Sequence, residues 1–139
     1  MQATFDQAQA QTAPALRPFV HQQTVLLTSY RRNGTPVGTP VSIAVDGDHA
    51  YVRTYESAWK FKRIRRNPDV EIAPSTLRGK PTGPALPARV RILSGEEAAR
   101  ASRAIVHKHP ILHGALVPLY HRLNHLRTVH LELRPIASK

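Results

Sequence analysis

Between Arg53 and Arg66 the chain carries Arg53, Lys60, Lys62, Arg63, Arg65 and Arg66 against one acid, Glu56. Lys60 and Arg63 stand at i and i+3, so on a helix both project from one face near its start. A helix start offers unpaired N–H groups and the positive end of the macrodipole, and Thr54 and Ser57 add hydroxyls beside it. Cations, hydroxyls and backbone N–H groups together suit a phosphate. A solvated basic helix face has the same pattern without a ligand, and spacing alone does not separate the two.

Two further segments offer binding rather than catalysis. Pro74, Ser75 and Thr76, with Lys80, Pro81, Thr82 and Gly83, are small or hydroxyl-bearing residues that let a planar ring or polyol chain approach the backbone. A loop that needs Gly and Pro for turning explains them equally well. Thr39, Pro40 and Val41 lie in a strand-like stretch. Pro40 lacks a ladder donor there, which marks an edge, a bulge or a neighbour that is not a strand.

Conventional catalytic groupings do not emerge. The chain has no cysteine, which excludes thiol nucleophiles, thiolate metal sites and disulfides. No Gly-x-Ser-x-Gly occurs. His107, His109 and His113 lie close in sequence, and His121 and His125 stand at the i, i+4 spacing that can place two imidazoles on one metal. No Glu follows His121 as in zinc proteases, and that segment reads as a basic helix surface, so no metal site is assigned. Tyr30 and Tyr55 are candidate proton donors, but no catalytic side chain is assigned.

The elements that must position these residues follow from pattern. Residues 1–20 are Gln- and Ala-rich, with Pro14 and Pro18, and read as a tail or a short helix packed on a partner. Residues 21–139 read as one domain. Thr24 to Tyr30 is β-branched and apolar, and Asn33-Gly34 supplies a hairpin turn to a strand from about Val37 to Val45. Asp46-Gly47-Asp48 turns into a third strand, Ala50 to Tyr55, which predicts a three-stranded antiparallel meander. Ser57 is placed to cap a helix to about Arg66, stopped at Asn67-Pro68. A fourth strand holds Val70 and Ile72. After the Gly79–Pro84 link comes a fifth, in which Val90 and Ile92 alternate with Arg89 and Arg91. Ser94 and Glu97 form a capping-box pattern for a helix to about Lys108, broken by Pro110. Leu112, Leu116, Leu119, Leu123 and Leu126 recur at helical spacing, with Pro118 as a kink, before a strand in which Val129, Leu131 and Leu133 alternate with polar residues. The expected fold is mainly β, a small antiparallel barrel with flanking helices.

Composition narrows the partners. The 139 residues and 41% hydrophobic content fit one globular domain with a modest core. A net charge of +11 calls for an anionic partner, either nucleic acid, an anionic membrane surface or a polyanionic small molecule, unless it is merely an arginine-rich solvated surface. Nucleic acid is not expected, because only Tyr55, Trp59 and Phe61 lie near the basic cluster. No transmembrane run and no secretory signal are evident, so the expected location is cytoplasmic.

Several of these segments occur together, in order: Val25-Leu26-Leu27-Thr28, Tyr30 through Val41, Tyr51-Val52-Arg53-Thr54, Lys60-x-x-Arg63, Arg66-Asn67-Pro68-x-Val70 and Ala73-Pro74-Ser75-Thr76. They resemble the pyridoxamine-phosphate-oxidase-like superfamily, specifically its F420-dependent oxidoreductase branch, over residues 22–93 and more loosely beyond. The resemblance implies a split β-barrel of the FMN-binding type, a homodimer with cofactor sites at the subunit interface, and hydride transfer between coenzyme F420 and a small organic acceptor. It implies that Thr39, Pro40 and Val41 line the cofactor, that Arg53, Thr54, Ser57 and Lys60 meet its phosphate with Arg63 in support, and that Pro74, Ser75 and Thr76 meet its ring or side chain. Tyr55-Glu56-Ser57 is also similar to the phosphate loop of flavin-mononucleotide oxidases. Here, however, Ala58 and Trp59 stand where those enzymes carry Arg and Lys. That departure favours F420 over FMN, as does the anionic phosphodiester and glutamate tail of F420. The alternatives are an FMN-binding oxidoreductase of the same fold or a non-catalytic carrier of cofactor or lipid.

Overall fold

The computed structural model describes residues 12–110, 112–124 and 126–136. Seven strands build one antiparallel sheet: β1 (Thr24–Tyr30), β2 (Pro36–Ser42), β3 (Ala44–Asp46), β4 (His49–Tyr55), β5 (Asp69–Pro74), β6 (Leu86–Leu93) and β7 (Thr128–Pro135). Their order is β2-β1-β5-β6-β7-β4-β3. The edge strands β2 and β3 are consecutive in the chain, separated by Ile43 alone. Laid flat, edges six strand spacings apart would stand about 29 Å from each other, whereas two Cα steps span about 7.6 Å. The sheet must therefore curl until its edges meet, and Ile43 is fully buried at that closure. This is the expected split β-barrel.

Alternation decides which side chains fill it. Val25 and Leu27 of β1, Ala50 and Val52 of β4, Val70 and Ile72 of β5, Ala88 and Val90 of β6, and Leu131 and Leu133 of β7 form the interior cluster. Helix α1 (Trp59–Arg66) adds Phe61 and Ile64 to it. The 3-10 turn Pro14–Phe19 adds Leu16 and Phe19, so this segment packs on its own barrel. Helix α2 (Gly95–Lys108) covers the outside, setting Ala101 and Ile105 against Ala44, Tyr51 and Leu93. Lys108 ties the end of the turn and the residues after it to α2, its Nζ donating to the Phe19 carbonyl at 3.4 Å and the Gln22 carbonyl at 2.6 Å. A π-helical stretch, Leu112–Leu116, runs into helix α3 (Val117–Leu123).

Several sequence expectations change. The hairpin turns form as read, with Gly34 at φ 86° and Gly47 at φ 70°. The three-stranded meander does not. Its second strand breaks at Ile43 into β2 and β3, β1 pairs on its other side with β5, and β4 pairs with β7. Pro36 and Pro40 suit β2 to an edge, where missing N–H donors leave no ladder unpaired. Ser57 does not cap α1, since the N-cap is Ala58, in an extended conformation and without a side-chain bond. Ser94 is the N-cap of α2 but makes no cap bond, and Glu97 turns instead to Arg91, whose Nη1 donates at 3.0 Å. Pro118 sits in the first turn of α3, where its missing N–H is harmless, rather than kinking a longer helix. The helical spacing of Leu112, Leu116, Leu119 and Leu123 does correspond to helical structure, and all four are exposed.

Candidate functional site

Helix α1 is amphipathic. Phe61 and Ile64 enter the barrel, which leaves the lysines and arginines to the rim and solvent. Arg63 donates from Nε to Oγ of the buried Ser29 at 2.8 Å, and Arg66 donates from Nη2 to the Tyr30 carbonyl at 3.0 Å. Both bonds dock α1 on the end of β1 through neutral acceptors, so neither guanidinium is neutralised. Burial lowers the Arg63 pKa, and the neighbouring charges of Arg31 and Arg66 lower it further.

Lys60 lies one turn before Arg63 and is partly buried. Desolvation depresses its pKa, with repulsion from Arg63 adding to the effect. Among the described residues no hydrogen bond or ion pair engages its ammonium. A partly desolvated cation beside a second cation, without a counter-ion, is an arrangement that an anion would stabilise. Ser57 is exposed just ahead of the helix. Thr54 faces the barrel interior and its Oγ1 is buried without a hydrogen-bond partner, the kind of orphan that calls for an explanation.

Arg53 is placed elsewhere. On β4 it faces α2, donating from Nη2 to Ser102 Oγ at 2.9 Å and from Nε to His130 Nε2 at 3.2 Å. His130 therefore accepts through a neutral ring, and its pKa is pushed down to about 4, first by burial and then by Arg53 and His121. The buried His121 bonds Thr128 Oγ1 at 2.7 Å and meets the Tyr55 ring edge-on at 5.6 Å. Its pKa is lowered by burial and by Arg53. Since His121 is engaged in this way and His125 lies outside the described residues, the i, i+4 pair carries no metal argument. His109 bonds the Ile43 carbonyl at 3.0 Å.

The remaining candidates gather at the other end of β1. Ser75 N donates to the Thr24 carbonyl at 3.2 Å, and Ser75 bridges to Pro81. Thr82 N donates to the Pro74 carbonyl at 2.7 Å, and Thr76 N to the Lys80 carbonyl at 2.9 Å. Pro74–Thr76 and Lys80–Thr82 thus form one tight loop. It folds against β2, where a Cβ on Gly79 would lie 3.4 Å from Pro40 Cδ. On β2, Thr39 and Val41 pair with the inward-facing Leu27 and Val25, and Val41 is a core residue. Pro40 is exposed on the outer face opposite Leu26. The structure therefore brings Lys60 together with Arg63, and Pro40 together with the Pro74–Thr82 loop. Measured along β1 from Ser29, which Arg63 bonds, the two groups are three to five residues apart, at Leu26 opposite Pro40 and at Thr24 beside Ser75, or about 10–17 Å, and Arg53 sits in a third environment under α2.

Sequence reasoning did not assign three participants. Arg31 and Arg32, in the turn after β1, share a recess of roughly 440 Å³ with Trp59, Arg63 and Arg66. Their distance in sequence from α1 concealed this. Trp59 is 73% exposed, and its position three residues before Lys62 was a readable signal.

A curled seven-stranded antiparallel sheet with a cationic helix at one rim defines the small split β-barrels. Residues 12–129 match the family described as pyridoxamine 5'-phosphate oxidase, and the chain belongs to that family. Solved structures agree on the fold. HutZ, the heme storage protein from Vibrio cholerae, is 14% identical, with 88% of this chain and 92% of that one covered and a TM-score of 0.67. An F420 reductase is 19% identical over 86% of this chain and 92% of that one, with a TM-score of 0.56. A FAD-binding protein from Mesorhizobium loti is 14% identical over 86% and 83%, with a TM-score of 0.60. No curated protein matches the sequence.

Proposed function

We propose that the protein is an F420-dependent oxidoreductase that moves a hydride between coenzyme F420 and a small organic acceptor. The observation that carries this reading is Lys60, a desolvated ammonium next to Arg63 with no counter-ion among the described residues. A phosphodiester would satisfy it with a charge-assisted hydrogen bond. Ser57 and Arg63 support the same phosphate, and the Pro40 and Pro74–Thr82 surface takes the ring or its side chain. The roughly 10–17 Å between these groups along β1 suits an extended cofactor lying along that strand, or one shared between two subunits of a homodimer. When bound, the deazaflavin supplies the hydride chemistry, and the chain's residues bind and orient it.

Tyr30 and Tyr55 remain the candidate proton donors. Burial and then Glu71 raise the Tyr30 pKa, which keeps its hydroxyl protonated at neutral pH. Arg53 enters this reading only through a change of partner, since Ser102 and His130 hold it. Ala58 and Trp59, standing where FMN oxidases carry Arg and Lys, favour F420 over FMN.

The test is a side-by-side fluorescence titration with F420 and FMN, followed by an acceptor screen that reads loss of reduced-cofactor absorbance. Tighter F420 binding with turnover is expected. Tighter FMN binding would reverse the cofactor assignment, and binding without turnover of any acceptor would make the protein a carrier.

A further inference from the structure

Two groups of basic side chains contrast in their partners. Arg89, Arg91, Arg100, Arg103, Arg127 and Arg134 each form an ion pair with an Asp or Glu. No carboxylate faces Arg31, Arg32, Lys62 or Arg65 among the described residues. These four, with Arg66, surround Trp59 on the face made by α1 and the β1–β2 turn. Two adjoining recesses flank the indole: the one of roughly 440 Å³ already described, and one of roughly 520 Å³ lined by Arg32, Trp59, Lys62, Arg65 and Arg66. Neither lining includes an acid. Five cations without a carboxylate partner among the described residues are therefore gathered around one indole.

The aromatic side chains near the cluster also separate in the structure. Phe61 is buried and Tyr55 half-buried, whereas Trp59 is 73% exposed. Lys62 Nζ lies 4.6 Å from its ring centroid. Exposing a large apolar surface among mutually repelling cations is unfavourable for the isolated chain and suits a partner that brings both negative charge and planar groups.

We propose that this face binds single-stranded nucleic acid, with a base stacked on Trp59 and phosphates met by Arg31, Arg32, Lys62, Arg65 and Arg66. Base stacking on an aromatic platform beside a cationic groove is the recognition that unpaired strands use, and it is tolerant of sequence. Trp59, Lys62 and Arg66 fall at i, i+3 and i+7, so indole and charges follow one stripe along a helix about 12 Å long. An acidic peptide would satisfy the cations but leave the indole without a stacking partner. Adsorption on an anionic membrane needs a cluster of apolar side chains in one plane. Within this patch Trp59 is the one exposed large apolar residue, as Leu77, Ile92 and the leucines of the 112–123 segment lie on other elements. The proposal uses neither Lys60 nor Arg63 and stands apart from the cofactor reading.

Trp59 is the only tryptophan in the chain, so intrinsic fluorescence reads the site directly. The full chain is titrated with oligothymidylate of about eight nucleotides, an abasic strand of the same length, and phosphatidylglycerol vesicles. The expected result is saturable quenching by oligothymidylate, weaker binding of the abasic strand without quenching, and a log–log salt slope of about −2 to −3.5 for three to five phosphate contacts. Measured by anisotropy of a labelled strand, Trp59→Ala should lose about five- to hundredfold in affinity. Arg32→Ala should lower both affinity and salt slope, while Arg103→Ala, a charge-matched change in a paired arginine, should stay within about twofold. Equal binding of the abasic strand with Trp59→Ala unaffected would overturn the proposal in favour of diffuse electrostatics. A blue shift with vesicles and no response to oligothymidylate would overturn it in favour of a membrane surface, and no binding of any probe would end it.

Discussion

Replacing Lys60 separates a ligand-binding cation from a structural one, because the two roles predict opposite effects on stability. In the free protein the ammonium is partly desolvated, lies close to Arg63 and has no described partner. Its pKa is lower folded than unfolded, so the charged form opposes folding. The unfolded chain retains the proton to higher pH, and stability rises with pH as the folded group deprotonates. The penalty is present in full below the folded pKa and relieved as pH passes the unfolded value near 10.5. Lys60→Met keeps the stem and removes the charge, so it should leave the melting temperature unchanged or raise it. Binding should move the other way. Losing a charge-assisted hydrogen bond to a phosphate costs about 1.5–3 kcal/mol, or about ten- to hundredfold in affinity. The assay is cofactor titration of wild type, Lys60→Met and Lys62→Met at low and moderate salt. Equal losses in both variants would mean only diffuse, screenable attraction. A Lys60→Met protein that melts lower yet binds normally would refute the reasoning and return Lys60 to a packing role.

Other perturbations follow from the same structure. His130 stays neutral when folded, with its pKa pushed down to about 4 against 6.5 unfolded. Stability should therefore be intact above pH 6.5 and fall as pH drops toward 4, by at most about 1.4 kcal/mol per unit. Denaturant midpoints across that range check this, and His130→Gln should flatten the slope. Leu131 is fully buried at the centre of the barrel, so Leu131→Ala should destabilise by about 2–5 kcal/mol in urea melts. The proposed homodimer predicts a two-subunit mass in sedimentation at micromolar concentration, and a folded monomer that still binds cofactor would contradict it.

Local chemistry was legible in the sequence. Period-two alternation marked β6 and β7 and set Val90, Leu131 and Leu133 on an apolar face, which the structure buries, although Ile92 of that same reading is exposed. Asn33-Gly34 and Gly47 marked turns because few other residues adopt positive φ there. Asn67-Pro68 and Pro110 marked helix ends because the residue before proline avoids the helical region. These features depend on each residue and its near neighbours, so a single chain displays them. The order of the motifs was enough to suggest the family.

Pairing, enclosure and grouping were decided by the tertiary structure. A strand's own residues do not say which edge it will meet, so β1 joining β5 and β4 joining β7 were invisible to turn-based reasoning. The helical leucine spacing from Leu112 to Leu123 correctly indicated a helix, but exposure depends on what lies opposite, and nothing in the described residues covers that face. Arg53 and Lys60, seven positions apart, diverge because a strand sends alternate residues to opposite sides of the sheet, and Arg53 falls on the side covered by α2. Arg31 and Arg32 meet Trp59 because Arg63 and Arg66 dock α1 onto the end of β1. That proximity is created by folding, and no spacing along the chain encodes it.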